Sequence, residues 1–280
     1  MTGRILRCQA IERGIAPPCL HRDSPVAMSA LAARNPLPLQ LFRLLHLCVH
    51  VSLGVTVIAL VFPWLDASAR HAQIKRWSDR LLKILAVSID IRGDLSLRDG
   101  NVLVVANHVS WLDIFVLNAV HPVRFVAKAE LGRWPIVGAL VRGAGTLFIE
   151  RAKRRDTHRV NHHVAEVLSA GDVVAIFPEG TTSDGATTLP FKSSLLQPIV
   201  EAAGRVQPVA IRYQGSDGVR SLAPAYIGEM TFLGSVWRVC GEKSLQVALV
   251  APPAIEASGG NRRELARNVE AIIRAGLARS

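Results

Sequence analysis

Aromatic side chains are scarce in this chain of 280 residues, at 5%, although half of the residues are hydrophobic. Its core must therefore be built mostly from Leu, Val, Ile and Ala. Cysteine is scarcer still. Cys8, Cys19, Cys48 and Cys240 stand apart with no CxxC and no paired spacing, so neither a disulfide framework nor a zinc site is indicated, which fits a reducing compartment. HExxH is missing, and the cluster His158, His162, His163 and Glu166 reads as a solvated helix face in basic surroundings rather than a metal site. The chain lacks a GxSxG elbow, which argues against a serine hydrolase of the α/β-hydrolase pattern. Neither GxxxxGK[ST] nor a GxGxxG after a strand occurs, which argues against nucleotide binding. No internal repeat or low-complexity tract is present.

Acidic residues are the minority charge. Against 33 Lys and Arg there are 22 Asp and Glu, a formal net charge of +11 that suggests an anionic partner: nucleic acid, an acidic lipid surface or a phosphorylated substrate. Few aromatics and no nucleic-acid motif count against the first. Charge is absent altogether from residues 44–62, LLHLCVHVSLGVTVIALVF, a stretch that as a helix reaches ~28 Å, about the thickness of a hydrocarbon core. His46, His50, Ser52 and Gly54 interrupt it, so membrane contact is expected without full crossing. A basic amphipathic helix follows, with Ile74, Trp77, Leu81, Ile84 and Leu85 on one face and Lys75, Arg76, Arg80 and Lys83 on the other. Residues 37–88 are thus expected to form a membrane-associated helix pair, a hairpin that dips into one leaflet. Before it, residues 1–36 form an irregular extension with no apolar segment of the signal-peptide kind.

From Val87 onward short apolar runs alternate with helical stretches. Strands are expected at Val87–Ile91, Val102–Ala106, Arg124–Ala127, Thr146–Ile149, Val173–Phe177, Val206–Arg212 and Leu245–Val250. Helices are expected near Asp113–Val120, Trp134–Val141, Thr157–Leu168, Ser193–Ala203 and Arg262–Leu277. This alternation predicts an α/β fold over residues 89–280, a mixed, largely parallel sheet flanked by helices, preceded by the N-terminal membrane-associated two-helix segment. Functional residues then collect in the loops at the strand ends.

Two such loops carry chemistry. Asn107-His-Val-Ser-Trp-Leu-Asp113 leaves the strand at Ala106. With His108 in the turn and Asp113 in the first turn of the next helix, the carboxylate can bond one ring nitrogen and leave the other to take a proton. Asn107 or Ser110 is a candidate cap for that helix. Phe177-Pro-Glu-Gly-Thr-Thr-Ser183 leaves another strand. There Gly180 permits close approach to the backbone, and Thr181, Thr182 and Ser183 offer hydroxyls and N–H groups to an anion or oxyanion. Glu179 could accept from a substrate hydroxyl or pair with an arginine. Lys128 and Arg151 each end a strand candidate and could hold a phosphate there. A non-enzymatic basic adaptor, supported by net charge alone, and a thioester or phospholipid hydrolase are the competing classes.

Asn107-His-x-Ser-x-x-Asp113, Gly145-Thr-Leu-Phe-Ile-Glu-Arg151, Phe177-Pro-Glu-Gly-Thr-x-Ser183 and Val206-Gln-Pro-Val-Ala-Ile211 resemble, in order, the four blocks of the glycerolipid acyltransferases. The bacterial 1-acyl-glycerol-3-phosphate branch is the nearest in spacing. The resemblance implies that His108 is a general base oriented by Asp113. It further implies that Arg151 and Lys128 hold the acceptor phosphate and that Glu179 and Gly180 line the acceptor site. The implied reaction takes a fatty acyl group from acyl-CoA or acyl-carrier protein to the hydroxyl of 1-acyl-sn-glycerol-3-phosphate, with no metal or cofactor and no acyl-enzyme. The expected location is the inner (cytoplasmic) membrane, with the site facing the cytoplasm. One position departs: Thr182 stands where the third block commonly has arginine. That change suits a phosphate-free acceptor such as lyso-ornithine lipid.

Overall fold

The computed structural model describes residues 34–95, 97, 100–149, 154–257 and 261–279, with the side chains of 149 and 154–159 outside the description. Residues 34–280 form one compact unit. Its first elements are two helices, α1 (Leu37–Leu60) and α2 (Ala67–Ile84), joined through a short 3₁₀ turn at Phe62–Trp64. The rest follows as β1 (Val87–Gly93), β2 (Val102–Ala106), α3 (Leu112–Val120), β3 (Arg124–Lys128), α4 (Pro135–Gly143), β4 (Leu147–Ile149), α5 (Arg154–Ser169), β5 (Val173–Ile176), α6 (Gln197–Glu201), β6 (Arg205–Gln214), α7 (Phe232–Gly241), β7 (Leu245–Ala251), β8 (Ile255–Glu256) and α8 (Arg262–Arg279).

The strands lie side by side in the order β1-β7-β6-β2-β5-β3-β4, with β8 on the end of β6. From β6 to β4 every neighbouring pair is parallel, whereas β7 and β8 run antiparallel to β6. The sheet is therefore mixed and largely parallel, as the alternation predicted. Its centre is buried on both faces, which is why β2 reads as the unbroken apolar run Val-Leu-Val-Val-Ala. Period-two alternation sorts that run. Val102, Val104 and Ala106 join a core under α1, α2, α3 and α7, while Leu103 and Val105 join a second core under α5, α6 and α8. Two elements have no counterpart in the sequence reading, α7 and the two-residue β8.

The register of the central pair positions the site. Val105 lies beside Ile176, so β2 and β5 end together, and the loops carrying His108 and Glu179 leave from adjacent strand ends. β6 runs on past the end of β2. Asn107 covers the exposed rungs: its Nδ2 donates to Ile211 O at 3.0 Å and its Oδ1 accepts from Ile211 N at 2.7 Å. Asn107 therefore extends the ladder and does not cap α3. The hydroxyl of Ser110 accepts from Leu112 N at 3.2 Å, so Ser110 serves the first turn of α3.

The helix pair explains the polar residues in its apolar run. Of α1, only Leu47, His50 and Gly54 are buried, a stripe at the spacing of one helix face. Trp77 of α2 stacks on His50 with ring centroids 4.8 Å apart, and each side chain bonds the other residue's carbonyl. Gly54 makes room, since a Cβ there would sit 2.5 Å from the indole nitrogen. The remaining faces of α1 expose Leu37, Phe42, Leu45, Leu53 and Leu60, and Trp64 beyond it is 86% exposed. With 24 residues α1 reaches ~36 Å, long and apolar enough to cross a membrane by length and composition, yet only 11% of its most apolar window is buried. On α2 the predicted basic side, Lys75, Arg76, Arg80 and Lys83, is exposed. The start of α1 is latched to the end of α7. Asn35 Nδ2 and Arg43 Nη1 donate to Glu242 O at 2.7 and 2.5 Å, and Asn35 N donates to Gly241 O at 2.7 Å, satisfying carbonyls where α7 ends.

Candidate active site

His108 and Asp113 come together as their spacing predicted. His108 Nδ1 lies 2.8 Å from Asp113 Oδ2. Asp113 is fully buried at the start of α3, and the same oxygen also accepts from Val109 N at 2.7 Å and Ser110 N at 3.0 Å. Because a carboxylate only accepts, Nδ1 carries the proton and Nε2 is left with its lone pair. The imidazole is 20% exposed. Its flat face rests on Phe177, ring centroids 4.0 Å apart and nearly parallel, and Phe177 in turn stacks on Phe125 of β3. Neither ring carried a role in the sequence reading.

The second loop is fastened to the first through the backbone of His108. Glu179 Oε1 accepts from His108 N at 2.9 Å, and Ser183 N donates back to His108 O at 2.8 Å. Both peptide groups flanking the imidazole are thereby held. The other oxygen of Glu179 accepts from Leu189 N at 3.1 Å, so this buried carboxylate ties three loop segments together. Here the structure gives Glu179 a use different from either sequence alternative. Burial pushes its carboxyl above the ordinary value, and the two N–H donors pull it partly back.

Gly180 adopts a positive φ of 73° that closes the turn, with its N–H on Phe177 O at 3.0 Å. Thr182 turns its hydroxyl to the Tyr226 carbonyl. The N–H groups of Thr181 and Thr182 have no acceptor among the described residues, and Thr181 is exposed. Lys128 stands exposed at the C-terminal end of β3, on the same sheet edge. Arg151 lies outside the described residues. His162 and His163 pair with Glu166 on the exposed side of α5, the solvated face that was expected.

One residue at the centre was missed. Tyr213, near the end of β6, donates its hydroxyl to Asp113 Oδ1 at 2.7 Å. It continues the inward series Val209, Ile211, Tyr213, but the predicted strand stopped at Arg212. Burial pushes its ionisation well above the ordinary phenol value, and the neighbouring Asp113 charge adds to this, so the hydroxyl stays a donor.

An imidazole held by a buried carboxylate thus lies at the shared end of parallel strands, in the same unit as a long apolar helix. The family model described as Acyltransferase matches residues 88–212. A 1-acyl-sn-glycerol-3-phosphate acyltransferase of Neisseria meningitidis is 39% identical over 201 residues, 71% of this chain and 78% of the relative. A lyso-ornithine lipid O-acyltransferase of Pseudomonas aeruginosa is 38% identical over 253 residues, 88% of this chain and 95% of the relative. The crystal structure of the 1-acyl-sn-glycerophosphate acyltransferase PlsC of Thermotoga maritima superposes with a TM-score of 0.64 at 25% identity, covering 86% of this chain and 97% of that one. The chain belongs to the glycerolipid acyltransferase family. It is an acyltransferase with a lysolipid acceptor.

Proposed function

We propose that His108 is the general base and that Asp113 orients it. The observation that carries this is the Nδ1–Oδ2 contact at 2.8 Å, which leaves Nε2 for the substrate proton. As the lysolipid oxygen attacks the thioester carbonyl of acyl-CoA or acyl-carrier protein, Nε2 takes its proton. The tetrahedral intermediate then expels the thiolate, which recovers the proton from the imidazolium while Asp113 stabilises that cation. The N–H groups of Thr181 and Thr182, without an acceptor among the described residues, are donors open to an oxyanion or headgroup, with Gly180 and Ser183 shaping the turn that presents them. Lys128 and Arg151 take the acceptor phosphate, and Glu179 braces the loop that carries the base. The helix pair holds the enzyme on the cytoplasmic side of the inner membrane, its exposed leucines in lipid and its basic face toward anionic headgroups. The acceptor is 1-acyl-sn-glycerol-3-phosphate. His108→Ala should abolish transfer while leaving the protein folded and membrane-bound; turnover near that of the unaltered protein refutes the mechanism.

A second acceptor, lyso-ornithine lipid, is favoured by one observation. Thr182 supplies no cation, and its hydroxyl is spent on the Tyr226 carbonyl. Competing the two lysolipids for one labelled acyl donor decides between them, and Arg151→Ala should raise KM selectively for the phosphorylated acceptor.

A further inference from the structure

We propose that Tyr213 is a positioning residue for the reaction: by holding the second oxygen of Asp113 it sets how firmly that carboxylate grips the imidazole of His108. The inference rests on the reading of His108 as general base.

Asp113 is fully buried, and its donors are divided unequally. Oδ2 takes His108 Nδ1, Val109 N and Ser110 N, while Oδ1 takes the Tyr213 hydroxyl at 2.7 Å. The carboxylate torsion is broad and two-fold, so donors on one oxygen alone leave the group free to rock. A donor on the far oxygen fixes the plane and keeps Oδ2 aimed at Nδ1. It also draws charge away from the carboxylate, which limits how tightly the imidazolium is held once formed. Such a donor must remain protonated while the imidazole cycles, and a phenol buried to 2% exposure meets that requirement.

The fold places this hydroxyl deliberately far along the chain, 100 residues from its partner. β6 overruns β2, Asn107 pins the overrun at Ile211, and two residues later the inward side chain is Tyr213. A phenylalanine would serve the apolar packing of that position equally well, so packing alone does not account for the hydroxyl. Among the described residues, the titratable groups bonded to the His108–Asp113 pair are Glu179 from the loop after β5 and Tyr213 from β6, so the hydroxyl's effect can be read in a pH profile.

The test uses the full chain in lipid vesicles, with acyl-CoA and, in parallel arms, 1-acyl-sn-glycerol-3-phosphate and lyso-ornithine lipid. Tyr213→Phe should lower kcat about 10- to 100-fold with KM within about twofold, because the lost bond is charge-assisted. Its carboxylate is more basic, so the acid limb of the kcat/KM profile should move to higher pH by about one unit. A monofluorinated tyrosine at 213, a stronger donor of the same shape, should move the limb to lower pH, which covers any folding defect of Tyr213→Phe. In an Asp113→Asn background Tyr213→Phe should cost less than about twofold further. An unmoved limb in both variants, or the same loss with and without Asp113, overturns the proposal. A His108→Ala variant separates the two readings. If it retains turnover the base assignment falls; if it is inactive while Tyr213→Phe behaves as the unaltered protein, only the role of Tyr213 falls.

Discussion

Replacing Glu179 by alanine tests whether this carboxylate braces the base or binds substrate. Glu179→Ala leaves the N–H groups of half-buried His108 and of exposed Leu189 without the acceptor they now meet at 2.9 and 3.1 Å. The orphaned His108 donor costs ~1–3 kcal/mol while water can reach that of the exposed Leu189, and relief from burying the charge offsets part, for a net loss of about 1–2 kcal/mol. For a unit of this size that is a fall in Tm of roughly 2–8 °C. With the peptide of His108 released, kcat should fall at least about tenfold while the acceptor KM changes little. The pH dependence has a definite sign. Because the folded-state carboxyl is raised above 4.5, its share of stability is full below that value and is lost as pH rises through the folded-state titration. The gap between the unaltered protein and Glu179→Ala should therefore be widest below pH 4.5 and narrow above it. Thermal unfolding across pH, paired with kinetics, reads both effects. An unchanged Tm with a raised acceptor KM would place Glu179 on the substrate and refute the bracing role.

Asn107→Ala uncovers the N–H and carbonyl of Ile211, bonds of 2.7 and 3.0 Å, and should cost ~2–4 kcal/mol in denaturant unfolding. Phe177→Leu keeps the bulk but removes the ring under His108, stacked at 4.0 Å; kcat should drop roughly 2- to 10-fold with KM unchanged, as steady-state kinetics would show.

How much of this was legible depended on sequence distance. His108 and Asp113 are five residues apart, so the strand end and the following helix were enough to predict their contact. The strand β2 was read to the residue because a strand buried on both faces is a continuous apolar run bounded by polar ones. Glu179 was found but its partner was not, since the partner depends on the β2–β5 register, and a parallel register leaves no mark in either strand alone. Tyr213 was missed for the same reason at greater separation, its only local sign being the period-two continuation past Arg212. Helix α7 escaped because Gly234, Val236, Val239 and Gly241 favour it weakly; packing against α1 and its Thr231 cap sustain it. His50 and Gly54 were read as flaws in an apolar span, and they turned out to be its docking stripe.

The latch between the start of α1 and the end of α7 has a consequence for synthesis. Asn35 and Arg43 wait for carbonyls that lie 207 and 199 residues further along the chain. At translation rates of ~5–20 residues per second, about 10–40 s pass between the emergence of α1 and that of its partners. Throughout that interval most of a 24-residue apolar helix is uncovered, since α2 meets only its His50–Gly54 stripe. Early delivery to lipid would shelter it, so the catalytic sheet would assemble last, against a helix already seated at the bilayer where its substrate resides.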